Sequence, residues 1–499
     1  MSKEQKDAKA LKVPRQLHNA DNWKQLARWN SLGYYDLQTE DTRDVPVRLF
    51  LTQTLLSDAE DILYRQIINA TRFPGVKLVV ITPDTHYGYG VPVGCVLITD
   101  VDTGAVAMGP VGYDVGCGMM SAQSRVPAEA ATPERKLEFN RAVMRRVEMG
   151  SGGKSHRLGR VSESEFNNLV RGGAEYYVEK YGATFDRSRA ERHRIPVDDD
   201  WQIPWGGKGR PERGLDQLGS LGGGNHFIEL QREEATGALF IQVHTGSRGF
   251  GHGLATNYFE LGRLERPDAM TDIDLGYFTP DSRHYRDYLN AVAAGGNYAI
   301  LNRLVIFEQV SDAFREVFGA DLELIYEISH NLVQREWHPD FGEVWVHRKG
   351  ATRAFPAGHP ALKGTFWEET GHPVLIPGSN KDYSYILRPL EGASRSGYSV
   401  NHGAGRRLSR GEASRRLSQR QIDDEYAAAG ILVNTDGRVP LDEAAPAYKA
   451  SAEVVRAVVE AGLARIEHTL WPLASLKGVD ERSARRRKRG RSKKSSDHF

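Results

Sequence analysis

The stretch LGSLGGGNHFIELQREEATGALFIQVHTGSRG, residues 218–249, carries two short β-rich runs, HFIEL at 226–230 and ALFIQVH at 238–244. Aromatic and β-branched residues fill both runs, and Gly-rich segments bound them, which predicts strands. His226 opens the first run behind LGSLGGGN, and His244 closes the second ahead of TGSRG. Each imidazole therefore stands at a strand end beside a flexible turn. A sheet holds such a position rigid while the side chain projects into a cleft.

Runs of the same kind lie on both sides: KLVVI at 77–81, VGCVLI at 93–98, ELIYEIS at 323–329, EVWVH at 343–347 and PVLI at 373–376. Helical spacing of apolar residues occurs at roughly 133–148, 287–316, 411–429 and 448–464. A further helix is predicted behind a capping box at Ser57 and Glu60, with Ala59, Ile62, Leu63, Ile67 and Ala70 on one face. Strands and helices do not alternate regularly, and no fixed-period repeat exists. The pattern predicts an α+β fold built on a β-sheet core, not a doubly wound sheet or a TIM barrel. Residues 1–45 are polar without a sustained pattern and read as an extension.

A third histidine repeats the placement: His330 follows LIYEIS and precedes Asn331. The segment VGYDVGCGMM, 111–120, adds Asp114 and Cys117 among Gly112, Gly116 and Gly118, and holds one of the two cysteines in the chain. A structural cysteine in a glycine turn is the simpler reading of that segment alone. With His226, His244 and His330 it becomes a plausible metal set, and five donors exceed one tetrahedral site, so a bridging thiolate and two ions are expected. Ligand softness by itself points to zinc. Cys95, in VPVGCVLI, reads as strand core.

The segment SVNHGAGRRLSR, 399–410, carries a phosphate signal. The amides of Gly403, Ala404 and Gly405 are placed to converge on phosphate oxygens, and Arg406 and Arg407 suit anion contacts. A neutral His402 beside that loop is a candidate nucleophile toward a nucleoside triphosphate, with a turn histidine as the equal alternative. By contrast, EMGSGGKS at 148–155 is not a P-loop, because Glu148 occupies the place of the first glycine. It reads as a loop with Lys154 solvated.

Composition narrows the class. With 40% apolar and 26% charged residues the chain is an ordinary globular protein, and two cysteines cannot make a disulfide framework. No apolar run is long enough to span a bilayer and the N-terminus lacks a signal h-region, so a cytoplasmic protein with no membrane partner is expected. The formal net charge of +1 hides an asymmetry. Nine Lys and Arg fall within 482–494, leaving 57 basic against 62 acidic residues through Gly478. Such a block is predicted to be a solvated tail able to add salt-dependent affinity for a polyanion.

Eight motifs now stand in order: PDTHYGYG (83–90), GYDVGCGM (112–119), LGSLGGGNHFIE (218–229), VHTGSRG (243–249), SHN (329–331), HRKGATRAFP (347–356), PGS (377–379) and NHGAGRRLSR (401–410). This series resembles the RtcB-type 3′-phosphate RNA ligases. The resemblance covers about 46–478, which implies a single large mixed α+β catalytic domain, with 1–45 as the polar extension and 479–499 as the basic tail.

The resemblance implies a GTP- and manganese-dependent enzyme joining RNA 2′,3′-cyclic phosphate or 3′-phosphate ends to 5′-hydroxyl ends. It makes His402 the guanylylated nucleophile. Two Mn²⁺ ions are implied, with Cys117 bridging, His244 and His330 completing one site, and Asp114 and His226 the other. The guanylate pocket implied by motif position comprises Asn225, His226, Phe227, Ile228, Glu229, His330, Asn331, Pro377, Gly378, Ser379, Asn380, Ser384, His402, Gly403, Ala404, Gly405 and Lys477. RNA and GTP are the partners it implies, with an accessory activating protein left open. A guanylyl-capping paralogue and a metal-dependent cyclic phosphodiesterase or phosphatase remain alternatives. Arg248, Arg348, Lys349 and Arg353 are candidate RNA phosphate contacts, and His86 a candidate substrate contact. The chain departs from the family pattern at Asn380 and Lys381, commonly Met and Gly, and at Asn401, commonly a small residue. Lys381 is expected to place a charge beside the phosphates.

Overall fold

The computed structural model describes residues 16–183, 185–190, 194–266 and 273–478. The basic block at 482–494 lies outside them. Two large sheets face each other. One runs, edge to edge, Ala27–Asn30, Tyr34–Leu37, Val47–Leu49, Val76–His86, Val93–Asp100, Gly342–Lys349 and Asn331–His338. The other runs Glu323–Ser329, Gly118–Pro127, Ala238–Thr245, Phe227–Glu233, Ala464–Lys477, Ser384–Pro389 and Val374–Ile376. Pairing is antiparallel between most neighbours, with Val47–Leu49 parallel to Val76–His86.

Side-chain alternation along the strands sorts the core into layers. Leu78 and Val80 meet Phe227, Phe240 and Ile328 between the sheets, whereas Val79 and Ile81 turn outward onto Leu63, Ile67 and Ile68. On the far side, Met120, Ile228, Ile241 and Val243 pack under helices that include Pro133–Met144, Arg248–Glu265 and Tyr285–Phe318. The result is a helix–sheet–sheet–helix stack, the α+β architecture expected from the sequence. Each buried Leu, Ile or Val in these layers contributes roughly 1.5–3 kcal/mol of transfer free energy.

All seven strands read from composition are present. The polar front does not stand apart, however: Trp23 is buried against Tyr64, and Ala27–Asn30 with Tyr34–Leu37 form one sheet edge. Its apolar residues show no sustained period, yet Leu17, Trp23, Tyr34 and Leu37 fill core positions while Trp29 and Leu32 stay exposed. The helix assigned to the Ser57 box starts later, spanning Ile62–Ala70, because Ser57 already belongs to the short helix Gln53–Asp58 capped by Thr52. The pattern at 411–429 divides into Arg410–Arg416 and Gln419–Ala428, and that at 448–464 shortens to Ser451–Glu460. The long central strand Ala464–Lys477 begins where the helical spacing ends. Among the described residues no helix is long and apolar enough to cross a membrane.

Candidate active site

The cleft opens between the two sheets, where Phe227, Glu229, His244 and His330 from one meet Val93 and Lys349 from the other. It encloses about 380 Å³. His226 stands just before Phe227–Glu233, His244 near the end of Ala238–Thr245, and His330 directly after Glu323–Ser329. Gly118–Pro127 pairs antiparallel with Glu323–Ser329 and Ala238–Thr245, and Ala238–Thr245 with Phe227–Glu233, which brings the three imidazoles and Cys117 to one end of the sheet.

The contacts fall into two donor groups sharing one thiol: Cys117, His244 and His330, and Asp114, Cys117 and His226. Cys117 Sγ lies 3.3 Å from His244 Nε2 and 3.6 Å from His226 Nε2. His244 Nε2 lies 3.3 Å from His330 Nε2, and His226 Nε2 lies 3.1 Å from Asp114 Oδ2. The other ring nitrogen of His226 faces the carbonyl of Leu221, and that of His244 faces the carbonyl of Asn225. Nδ1–H donation to the Asn225 carbonyl leaves Nε2 of His244 as a free lone pair, the tautomer a metal ion requires. This donor chemistry fits a metal ion at either group.

Burial and like charge shape the ligands. Desolvation, reinforced by neighbouring imidazoles, holds His244 and His330 well below the usual histidine range, so both rings are neutral. Desolvation and the Asp114 carboxylate push the Cys117 thiol well above its usual range. Burial opposes ionisation of Asp114 as well, but His226 hydrogen-bonds it and draws its carboxyl below the usual range. Two glycines make this packing possible. Gly116 has φ +74°, and a Cβ there would lie 2.8 Å from Ala299 Cβ on the helix Tyr285–Phe318. A Cβ on Gly246 would lie 2.3 Å from Asp114 Oδ1.

His402 sits beside this cluster, its ring centroid 4.7 Å from that of His330. Its Nδ1 faces Asp84 Oδ2 at 2.6 Å, and that same oxygen accepts from the backbone N–H groups of His402 and Gly403. Burial works against the Asp84 charge, yet the His402 interaction and the Thr82 hydroxyl hold its carboxyl below the ordinary range. Asp84 was not singled out from sequence. Its signal was an acid at the end of a β-rich run, inside the motif PDTHYGYG. Arg303, Glu443 and Tyr448 also escaped that reading, since nothing local distinguishes them from helix or loop residues.

Most of the expected pocket is brought together. Asn225, Phe227, Glu229, His330, Asn331, the loop 377–380, the loop 402–405 and Lys477 line the cavity. His226 belongs to the candidate donor cluster, and Ile228 points into the opposite core layer. Ser384 lies behind the loop, accepting a hydrogen bond from the Gly378 N–H. Burial pushes Glu229 up to about 7 and lowers Lys477, whose ammonium lies 3.8 Å from Glu443.

The other candidate cations all have partners within the chain. Arg348 makes two bonds of 2.6 and 2.8 Å to the buried Glu336, and Arg248 is tied to Ser220 and the Gly150 carbonyl. Arg353 is buried and donates to Gln334, while Lys349 donates to the carbonyls of Tyr89 and Val91. Lys349 lines the cavity, whereas Arg248, Arg348 and Arg353 do not. Lys381 does not face the cavity either: it pairs with Glu425 at 2.7 Å and lies over the Tyr426 ring. Asn380 does line the cavity, with its Oδ1 accepting from the Tyr426 hydroxyl. His86 lines the cavity too and faces the Asp84 carbonyl. Cys95 is buried strand core, as expected.

A family model described as "tRNA-splicing ligase RtcB" matches residues 66–478. The chain belongs to the RtcB family. Its relatives include a tRNA-splicing ligase RtcB from Pyrobaculum aerophilum, 36% identical over 468 residues, covering 87% of this chain and 95% of the relative. The RtcB protein of Thermococcus kodakarensis is 34% identical over 466 residues, with 87% and 95% covered. An RNA-splicing ligase RtcB from Mycobacterium tuberculosis is 36% identical over 442 residues, 83% of this chain and all of the relative. The RtcB match begins inside the helix Ile62–Ala70, so the sheet-edge strands at 27–37 lie ahead of the matched region.

Proposed function

We propose that the protein is an RNA ligase that uses GTP to join a 3′-phosphate or 2′,3′-cyclic phosphate end to a 5′-hydroxyl end, in RNA splicing or repair. The observation that carries this reading is the pairing of Asp84 with His402 Nδ1, one ring away from the two-metal donor set. With Nδ1–H directed at a carboxylate, Nε2 keeps a lone pair, the form in which an imidazole is a nucleophile.

Asp114, Cys117 and His226 would hold one divalent ion and Cys117, His244 and His330 the other; when bound, ions there neutralise charge on phosphoryl oxygens. Manganese is the assignment the family resemblance implies. His402 Nε2 attacks the α-phosphorus of GTP, forming a P–N bond as the P–O bond to pyrophosphate breaks. Asp84 stabilises the charge that gathers on the ring. The amides of Gly403, Ala404 and Gly405 are the chain's own donors to phosphate oxygens, and Glu229, Phe227 and Lys477 form the far wall for the base. Water opens a cyclic end to a 3′-phosphate, whose oxygen then takes the guanylyl group from His402. The 5′-hydroxyl attacks the RNA phosphorus of the resulting RNA(3′)pp(5′)G end, and GMP leaves.

Labelled GTP with Mn²⁺, with and without RNA bearing the two ends, tests the scheme. Wild type should form an acid-labile protein guanylate and joined RNA, and His402→Ala neither. Guanylate transfer without joining would identify a capping protein, and cyclic-end hydrolysis without any guanylate a phosphodiesterase.

A further inference from the structure

The cavity that holds the candidate donors, Glu229 and Lys477 is also lined by Tyr89, Tyr113 and Phe259. Tyr89 is 66% exposed and its neighbour Tyr87 is 52% exposed, an unusual display for rings beside a catalytic cleft. Their backbone is nonetheless tightly held. Lys349 donates to the carbonyl of Tyr89 at 2.6 Å, Asn69 to that of Gly90 at 2.6 Å, and Gln66 bonds both the carbonyl and N–H of Gly88. All three side chains are buried. Tyr89 meets Tyr113 edge-on, with centroids 6.0 Å apart, and Tyr113 stacks on Phe259 at 4.6 Å. Tyr113 directly precedes the donor Asp114.

A loop fixed by buried polar groups while presenting a bare ring is preorganised to receive a flat partner. A nucleobase is such a partner, because every base has a π face and stacking on an aromatic side chain tolerates any sequence. The geometry points to Tyr89 as a stacking platform for the base of the terminal nucleotide at an RNA end. This inference rests on the RNA ligase reading. It assigns the cavity two roles, one for guanylate at Glu229 and Lys477 and one for RNA at Tyr89.

Matched RNA pairs test it, identical except that the terminal nucleotide lacks its base, either at the 3′-phosphate end or at the 5′-hydroxyl end. Wild type should show a KM for joining about tenfold lower with the base present at one of these ends. Tyr89→Phe should keep that discrimination, because the ring and not the hydroxyl stacks, and Tyr89→Ala should lose it. Tyr89→Leu, which keeps apolar bulk without a π face, serves where the alanine variant does not fold. Indifference of wild type to the base at both ends, or unchanged discrimination in Tyr89→Ala or Tyr89→Leu, overturns the platform. If wild type joins no RNA, the ligase reading fails separately. Quenching of a terminal 2-aminopurine by wild type but not by Tyr89→Ala then still decides the stacking.

Discussion

Asp84 Oδ2 stands 2.6 Å from His402 Nδ1 while also accepting the backbone N–H groups of His402 and Gly403. One carboxylate oxygen therefore fixes both the ring and the start of its glycine loop. Asp84→Asn replaces the acceptor with an amide that can turn its NH₂ toward the ring and select the wrong tautomer. Guanylylation by GTP should fall on the order of 10²–10⁴-fold, while the metal donors stay in place. Single-turnover labelling and Co²⁺ titration of the same variant measure the two effects; a near-wild-type labelling rate would remove Asp84 from the mechanism.

The candidate donors were legible in sequence because His226, His244 and His330 each stand at a strand end, and Asp114 and Cys117 lie in a glycine-rich turn. Asp84 and Arg303 were not, since their roles depend on strands and helices far apart in sequence that meet only in the fold. Gly118–Pro127 escaped because Met119, Met120 and Ala122 carry little β signal, although cross-strand packing holds them centrally. Lys381 shows the opposite failure. Loop position suggested a phosphate neighbour, but side-chain direction, set by Glu425 and Tyr426, turns the ammonium away.

Lys381→Ala should accordingly leave the KM for GTP within about threefold and lower stability only slightly, as expected for loss of a partly exposed ion pair. Guanylylation kinetics and denaturant titration separate the two. A KM change of tenfold or more would return Lys381 to the phosphate environment.

Glu229 gives a pH signature. Burial raises its folded pKa to about 7, above the ordinary glutamate value near 4.5. The unfolded chain therefore releases this proton first as pH rises, and the folded state loses stability between about pH 4.5 and 7. The loss approaches about 3 kcal/mol once both states are ionised. Glu229→Gln removes it. In the absence of metal and nucleotide, that variant should unfold at higher denaturant than wild type at pH 8 and at nearly the same concentration at pH 4.5.

Cys117 is shared by both donor groups, so its loss should differ in kind from loss of one imidazole. Cys117→Ser should abolish the thiolate-to-Co²⁺ charge-transfer band and weaken both sites by on the order of 10²-fold, whereas His244→Ala should spare the site of Asp114 and His226. The raised thiol pKa adds a slope. Below that pKa each bound thiolate displaces a proton, so apparent affinity should rise about tenfold per pH unit across neutrality. A pH-independent affinity would mean that Cys117 is not a ligand.

Arg303 ties the site together from beneath. Fully buried and paired with Glu327, its guanidinium donates to the carbonyls of Gly116 and Thr245 at 2.7 and 3.0 Å and to Ser329 Oγ at 2.7 Å. Those residues adjoin Cys117, His244 and His330 in the chain. Arg303→Met removes the guanidinium from beside the buried Glu327 carboxylate, and should cost about 3–5 kcal/mol in denaturant titration of the metal-free protein. Adding Glu327→Gln removes the stranded charge and should recover much of that stability. It does not restore the bonds to Gly116, Thr245 and Ser329, so metal affinity should remain weakened in the double variant. Recovery of both stability and metal affinity together would reduce Arg303 to a charge partner for Glu327.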